Sequence, residues 1–394
     1  MFHFKVGRHI LVCTMFCGMA LWAAAASAQT FTVLYTFTGG ADGGTPLATP
    51  ILSNGNVYGT TSGGGTSNAG TVYEVNFASR HEAALHSFSG PDGSGPVAGL
   101  AQDSSGNFYG VAYHGGANND GTLFKLSSKG TFTLLHSFSG PPSQGIGPAG
   151  TLVWDTYGDL YGTTYVGGDQ KGWGTTFEYS VGGKFTTGQS FSPDGALPRA
   201  GLLYLEGKLY GTTAEGEYRE SGDFGGTIYE ADVQQALYTF TGGADGAQPL
   251  GGLVSDGAGN LYGTCSAGGS GNFGAGYGVI FKFNLASGQL TVLHTFTGPD
   301  GGSPSSALSW DASGNLYGTT TLGGAYGYGN VFKLSSSGTL TSLHDFTGGA
   351  DGARPMAGVI VDAKGNVWGA ASQGGSAQGS AGYGTVFIIS PAAS

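Results

Sequence analysis

A single phrase recurs seven times in this 394-residue chain. It reads "GNVYGTT" at 55–61, "GNFYGVA" at 106–112, "GDLYGTT" at 158–164, "GKLYGTT" at 207–213, "GNLYGTC" at 259–265, "GNLYGTT" at 314–320 and "GNVWGAA" at 365–371. The aromatic residues of successive copies stand 49–55 residues apart. Three further markers keep the same step. A proline precedes each copy (Pro46, Pro96, Pro148, Pro198, Pro249, Pro304, Pro355). The aromatic of a "GTVFKL"-like run follows it (Tyr73, Phe124, Phe177, Tyr229, Phe281, Phe332, Phe387). "LHSFSG"-like runs supply Phe37, Phe88, Phe138, Phe191, Phe240, Phe296 and Phe346. Four markers that all count seven exclude a chance alignment, and such a period confines the chain to repeat architectures.

Apolar residues alternate with period two and no useful helical period is present, so the units are built of strands. Each divides into four: the run after the proline ("AGVIVD", 357–362), "NVWGAA", "GTVFII" and "TLTSLHDF" (339–346). "DASGN" (311–315) resembles a three-residue hairpin with a left-handed glycine, and Asn54-Gly55 and Glu206-Gly207 replace it with two-residue turns. Four antiparallel strands per unit describe a propeller blade; a β-solenoid coil is about half that length. The first strand, "FTVLYTF" (31–37), is a strand four with nothing before it, and the last, "GTVFIIS" (384–390), is a strand three with nothing after it. The two incomplete ends complement one another and remove an open sheet edge. The expected fold is all-β: a seven-bladed β-propeller of four-stranded antiparallel blades, closed by 31–37 completing the blade of 357–390.

Residues 1–28 read as a secretory signal, with Lys5 and Arg8 before an apolar run and Ala26-Ser27-Ala28 as the cleavage site. Residues 29–394 then form a single domain. Without Lys5 and Arg8, 12 basic groups face 25 acidic ones, a net charge of −13. That argues against nucleic acid, which requires basic patches. Cys265 is the only cysteine left, so no intrachain disulfide is expected. The 79 glycines with only 10% charged residues would suit a low-complexity chain, but 12% aromatic residues give it enough to bury to fold.

"GNLYGTT", "GTVFKL", "LHxFTG" and the "GADGxxP" loops ("GADGARP", 349–355) together resemble the GloVer tandem repeat, named for Gloeobacter and Verrucomicrobia and found in choice-of-anchor bacterial surface proteins. The likeness covers 30–390. "GLVSDGAGNLYGT" (252–264) is also, more weakly, similar to NHL-type propeller repeats. The GloVer resemblance implies export and attachment at the outer surface by a C-terminal sorting segment. It implies no activity. This sequence ends at "IISPAAS" without a hydrophobic tail, so release is expected rather than anchoring.

No H-E-x-x-H, G-x-S-x-G or C-x-x-C is present. Four histidines (His86, His136, His294, His344) share one repeat position with Tyr35, Tyr238 and Gln189. A position that accepts His, Tyr or Gln is a packing position with a polar tip, and its members lie on separate blades, so metal binding or catalysis is not expected there. Cys265 stands where other copies have threonine and reads as a small buried residue. Strand one, which should line the axis, opens on small residues such as Gly150-Thr151 and Gly251-Gly252, with no converging carboxylates for a metal.

Asp42, Asp92, Asp194, Asp245, Asp300 and Asp351 each precede a glycine four residues before the blade proline, and only the third blade, with "PPSQGIGP", lacks one. Two readings stand: carboxylates capping turns, or a ring of charge for cations or a basic partner. Strand direction puts these loops on one face with the glycine-rich loops after "LYGTT", whose lengths vary. The opposite face has mostly tight turns. Variable loops on a rigid scaffold are where binding resides. Candidate ligand-binding residues there are the aspartates with Trp173, Tyr218, Tyr277 and Tyr326, accompanied by Tyr165, Arg219, Phe273, Tyr328, Tyr383 and His114.

The reading for the whole chain is a secreted, monomeric, non-enzymatic binding or structural module without cofactor or metal. It is expected outside the cell or at the outer surface, with no membrane insertion after signal cleavage, and its partner is an extracellular protein or glycan. The alternative is a carbohydrate-active enzyme using the loop carboxylates Glu215, Glu217, Glu220 and Asp223, though a glycosidase needs two carboxylates held across a bond.

Overall fold

The computed structural model describes residues 29–168, 172–191, 195–216, 225–231, 233, 235–270, 276–376 and 381–392. The signal segment lies outside them. The described residues contain no helix. Seven antiparallel four-stranded blades form a propeller, with strands in sequence order from the axis outward in all but the last; the third sheet carries an additional short strand, Gly145–Pro148, paired with its second strand. The first uses Ile51–Ser53, Asn56–Thr61, Thr71–Asn76 and Glu82–Ser87. The last combines Ile360–Val361, Val367–Ala371 and Thr385–Ser390 with Thr30–Thr36 from the start of the domain. The ring therefore closes as the complementary ends predict. The turns agree too: Gly314 is left-handed (φ 76°), and Asn54-Gly55 and Glu206-Gly207 are left-handed at both positions.

In the sixth blade each residue of the recurring phrase has a contact of its own. Asp311 Oδ1 accepts the Ser313 and Asn315 backbone N–H groups, each at 2.9 Å, and caps the hairpin. Its Oδ2 accepts from Asn315 Nδ2 (2.6 Å) and the Tyr317 hydroxyl (3.0 Å). Asp362 repeats the arrangement with the Trp368 indole. Leu316 enters the core. Gly318 lies under the strand-three aromatic ring: a Cβ there would stand 2.6 Å from Phe332, and a Cβ on the equivalent glycine of every blade would stand 2.4–2.6 Å from that blade's aromatic side chain. The first threonine reaches the next blade, Thr319 donating to the Ala357 carbonyl at 2.8 Å, as in four other blades. The second bonds strand three of its own blade, as in Thr61–Thr71 (2.8 Å).

Among the described residues the core is divided rather than single. Seven buried clusters each draw on two neighbouring blades; that between the last blade and the first holds Leu34, Phe37, Val57, Tyr73, Trp368 and Val386. The proline marker belongs to the same interlock. The residue before each blade proline is left-handed (φ 49–67°) in all seven blades, although only Gly95 and Gly147 are glycine. Its N–H bonds a carbonyl of the preceding blade at 2.7–3.1 Å. The proline then covers the glycine that opens the preceding blade's strand three, where a Cβ would lie 2.5–3.0 Å from the proline Cδ. A left-handed non-glycine residue costs about 1–2 kcal/mol, and the interlock holds five of them.

Simple alternation places Val33, Tyr35 and Phe37 on one face, but Leu34 is a β-bulge, so Leu34 and Phe37 are buried while Val33 and Tyr35 are half-buried. Leu85, Leu135, Leu237, Leu293 and Leu343 bulge at the same position. The extra residue lets the leucine and the later phenylalanine both face a neighbouring blade.

Candidate functional site

The loop aspartates are tied into their own blades. His86 Nε2 meets Asp92 Oδ2 at 2.8 Å, while Asp92 Oδ1 accepts the Ser89 N–H (2.8 Å) and hydroxyl (2.9 Å). His294–Asp300 (2.9 Å) and His344–Asp351 (3.0 Å) repeat this, and the Tyr35 and Tyr238 hydroxyls donate to Asp42 (3.0 Å) and Asp245 (2.9 Å). In the third blade Gln144 takes the part of the missing aspartate, meeting His136 at 2.9 Å and accepting from Ser139 N. Burial alone would raise the Asp92 carboxyl, but the Ser89 donors and His86 outweigh it and the net shift is downward. Burial pushes the His86 imidazolium down against the pull of Asp92, which favours the neutral ring. The other face of the His86 ring stacks on Phe132 of the next blade at 3.7 Å. Each aspartate thus fixes the loop between strand four and the next strand one. Asp194 lies outside the described residues.

The loop tyrosines divide into two kinds. Tyr277, Tyr328 and Tyr383 occupy one repeat position, just before strand three, and lie over the glycines of the next blade's aspartate loop. Trp173 has the same place and packs with Phe191, Leu202, Leu209 and Tyr229, its indole N–H buried without an acceptor among the described residues. Tyr277 and Tyr383 nevertheless keep about half their surface, 50% and 51%, and Tyr326 stands free of the blade at 61% exposure. His114 is exposed beside Tyr113. Tyr218, Arg219, Phe273, Glu217, Glu220 and Asp223 lie outside the described residues, which leaves Glu215 of that carboxylate group, in a short backbone pairing with Ala196. No group of three or more His, Cys, Asp or Glu side chains is placed to hold a metal among the described residues.

What the loop face does assemble lies at its centre. The residue after each blade proline turns toward the axis: Leu47, Val97, Ala149, Arg199, Leu250, Ser305 and Met356, one per blade. With Tyr113 and Tyr165 they line a cavity of about 370 Å³. It tapers into a second space of about 240 Å³ walled by the small residues of strand one. There the backbones nearly touch; a Cβ on Gly150 would lie 2.5 Å from the Ala200 carbonyl oxygen. Among the described residues, the mouth lining has no charged residue apart from Arg199. The Arg199 guanidinium lies 4.5 Å from the Tyr165 ring centroid and donates from Nη2 to the Tyr165 hydroxyl at 2.7 Å. Tyr113 sits beside Tyr165, ring centroids 6.3 Å apart; burial raises its phenol, and Arg199 partly opposes this. Of these residues, sequence reasoning had singled out Tyr165 alone. The signal for the rest was the position directly after the proline, where six small or apolar residues accompany one arginine.

The opposite face is less uniform than tight turns suggest. Tyr157 (81% exposed) and Val181 (79%) project there, beside a cleft of about 370 Å³ between the second and third blades that includes Asp103, Tyr109, Trp154 and Tyr179.

The sequence pattern of the Gloeobacter/Verrucomicrobia repeat matches residues 20–225 and 218–394. No curated protein matches the chain in sequence. Among solved structures, a protein from Bacteroides fragilis assigned as a 6-phosphogluconolactonase is similar at 18% identity and TM-score 0.50, over 82% of this chain and 90% of that one. The extracellular domains of two hybrid two-component systems of B. thetaiotaomicron are similar at 13% and 11% identity with TM-scores of 0.58 and 0.52. They cover 92% and 91% of this chain, which spans only 41% and 39% of theirs. Identities this low establish the propeller fold and nothing further.

Proposed function

The chain belongs to the Gloeobacter/Verrucomicrobia repeat family, and from its geometry we propose that it is an extracellular, non-enzymatic binding module whose working surface is the loop face. The observation that carries this is the axial mouth: one residue from each blade converges on a concave, mostly apolar surface that bears, among the described residues, one held cation. Exposed Tyr277, Tyr326 and Tyr383 belong to loops of the same face. Tyrosine offers large, stiff contact area with a polar tip. Export through the 1–28 signal is part of this reading, and the extracellular domains among the similar folds accord with it. No described helix is long and apolar enough to cross a membrane. The partner is a glycan or an extracellular protein, bound by a monomer. The aspartate loops hold the face in shape, since their carboxylates are already satisfied by local donors.

The test is a glycan array and an envelope pull-down with the mature protein. Tyr326→Ala with Met356→Asp should abolish any specific signal, with an unchanged melting temperature. A signal indifferent to both substitutions would remove the loop face from the account.

A further inference from the structure

We infer that the axial mouth binds a small monocarboxylate with an apolar body, the carboxylate on Arg199 and the body against Leu47, Val97, Leu250 and Met356. This rests on the mouth being a binding surface and adds a small ligand at the axis to the glycan or protein taken by the wider loop face.

Three features support it. The first is the cation. Among the described residues Arg199 has no ion-pair partner and no acidic side chain lines the cavity. In a chain with a large excess of acidic groups, a guanidinium facing an apolar cavity is a local reversal of sign. The second is its preparation. Tyr165 holds the guanidinium by its ring face and its hydroxyl. That engages Nη2 and leaves the other N–H donors for a ligand. A planar fork already held in place matches a carboxylate in two-point fashion and loses little freedom on binding. The third is the wall. Leu47, Val97, Leu250 and Met356 come from four different blades and face the same space, and Met356 is 42% exposed. Methionine and leucine there accommodate an aliphatic or aromatic body without fixing its shape. A cavity of about 370 Å³ falls within the size of small-molecule sites.

The charge count selects the class. One guanidinium balances one negative charge. A phosphomonoester dianion would carry an unpaired charge into an apolar cavity, which is costly. A neutral apolar compound would leave the Arg199 donors unused. Tyr113 lines the same cavity beside Tyr165.

The probes are octanoate and 1-octanol, which share a chain and differ in charge, titrated by calorimetry into the mature protein at neutral pH. Octanoate should bind more tightly than octanol. Arg199→Gln should weaken octanoate by about tenfold or more, the loss expected for one charge-assisted pair, and leave octanol unchanged. Arg199→Lys should fall between, keeping the charge without the fork. Met356→Asp should weaken both probes. Melting curves check that each variant is folded; Arg199 is exposed, and neither substitution at it removes buried volume. Octanoate bound equally by wild type and Arg199→Gln would overturn the inference. If octanol then still loses affinity with Met356→Asp, the mouth stands as a binding surface and only the carboxylate assignment falls. If wild type binds neither probe at millimolar concentration, the inference falls, and the loop-face reading is judged by the array and pull-down alone.

Discussion

Deleting residues 30–38 from the mature chain should cost more stability than removing any comparable terminal strand from an open sheet. Thr30–Thr36 pairs along Thr385–Ser390, so its loss exposes the edge of the last blade. It also removes side chains from two blade interfaces. Leu34 (4% exposed) and Phe37 (3%) belong to the cluster with Val57 and Tyr73 of the first blade. Phe31 stacks on His344 at 3.6 Å and packs on Phe346 and Phe387. Full burial of a large apolar side chain is worth about 1.5–3 kcal/mol, so Leu34 and Phe37 alone account for about 3–6 kcal/mol. That is a large part of the 5–15 kcal/mol margin typical of folded domains. A domain of this size shifts by about 2 °C per kcal/mol or somewhat less, so calorimetry should record a fall of roughly 5–10 °C. The double substitution Leu34→Ala, Phe37→Ala separates side-chain loss from edge exposure and should give most of the fall. A truncated protein that melts with the full mature chain would refute the closed ring as a source of stability.

Gly318→Ala places a methyl 2.6 Å from the fully buried Phe332; the overpacking should cost about 1–3 kcal/mol in urea, and an unchanged midpoint would refute the reading of the phrase's second glycine. Asp300→Asn removes the charge that the Thr297 donors and His294 stabilise and should cost about 1–3 kcal/mol, with octanoate binding unchanged; the reverse pattern would make Asp300 part of a partner site. The net downward shift of Asp300, against the upward push of its burial, gives the sign of the pH effect: its contribution is present above the unfolded carboxylate value and fades as pH falls through the lower folded value, so the cost of Asp300→Asn should shrink in acid. Glu82 runs the other way. Burial, with the Asp42 charge adding, pushes its carboxyl from 4.5 to about 7. The folded state then holds a proton that the unfolded chain releases, so stability falls as pH rises between those values. Glu82→Gln should raise the melting temperature at pH 8 and have no such effect at pH 4, and an equal effect at both would refute it.

Strand count, blade count and closure were legible because each depends on local pattern: alternation, turn residues and the spacing of Tyr317 from its counterparts. The bulge at Leu34 was not, because one extra residue in a run of threonine and apolar side chains leaves the apparent alternation intact. Gln144 was missed as the stand-in for aspartate because it carries no charge, although like the aspartates it precedes a glycine four residues before its blade proline. The mouth was hidden for a different reason. Leu47 and Arg199 are 152 positions apart in the chain, and only ring closure brings them to one cavity. Position in the repeat was readable, and convergence was not. Trp173 and Tyr277 show the converse: both were picked as binding aromatics, and both also clasp the neighbouring blade.

The central claim is that recognition uses the loop face. The most direct measurement compares two sets of variants in one binding assay, read against whatever glycan or protein the wild type captures specifically. Set one is Arg199→Gln, Tyr326→Ala and Met356→Asp on the loop face. Set two is Tyr157→Ala and Val181→Ser, the most exposed apolar residues of the opposite face. The account predicts that every member of set one weakens binding at unchanged melting temperature and that set two binds as wild type. Binding lost in set two and kept in set one would contradict it, and would move the site to the cleft beside Trp154.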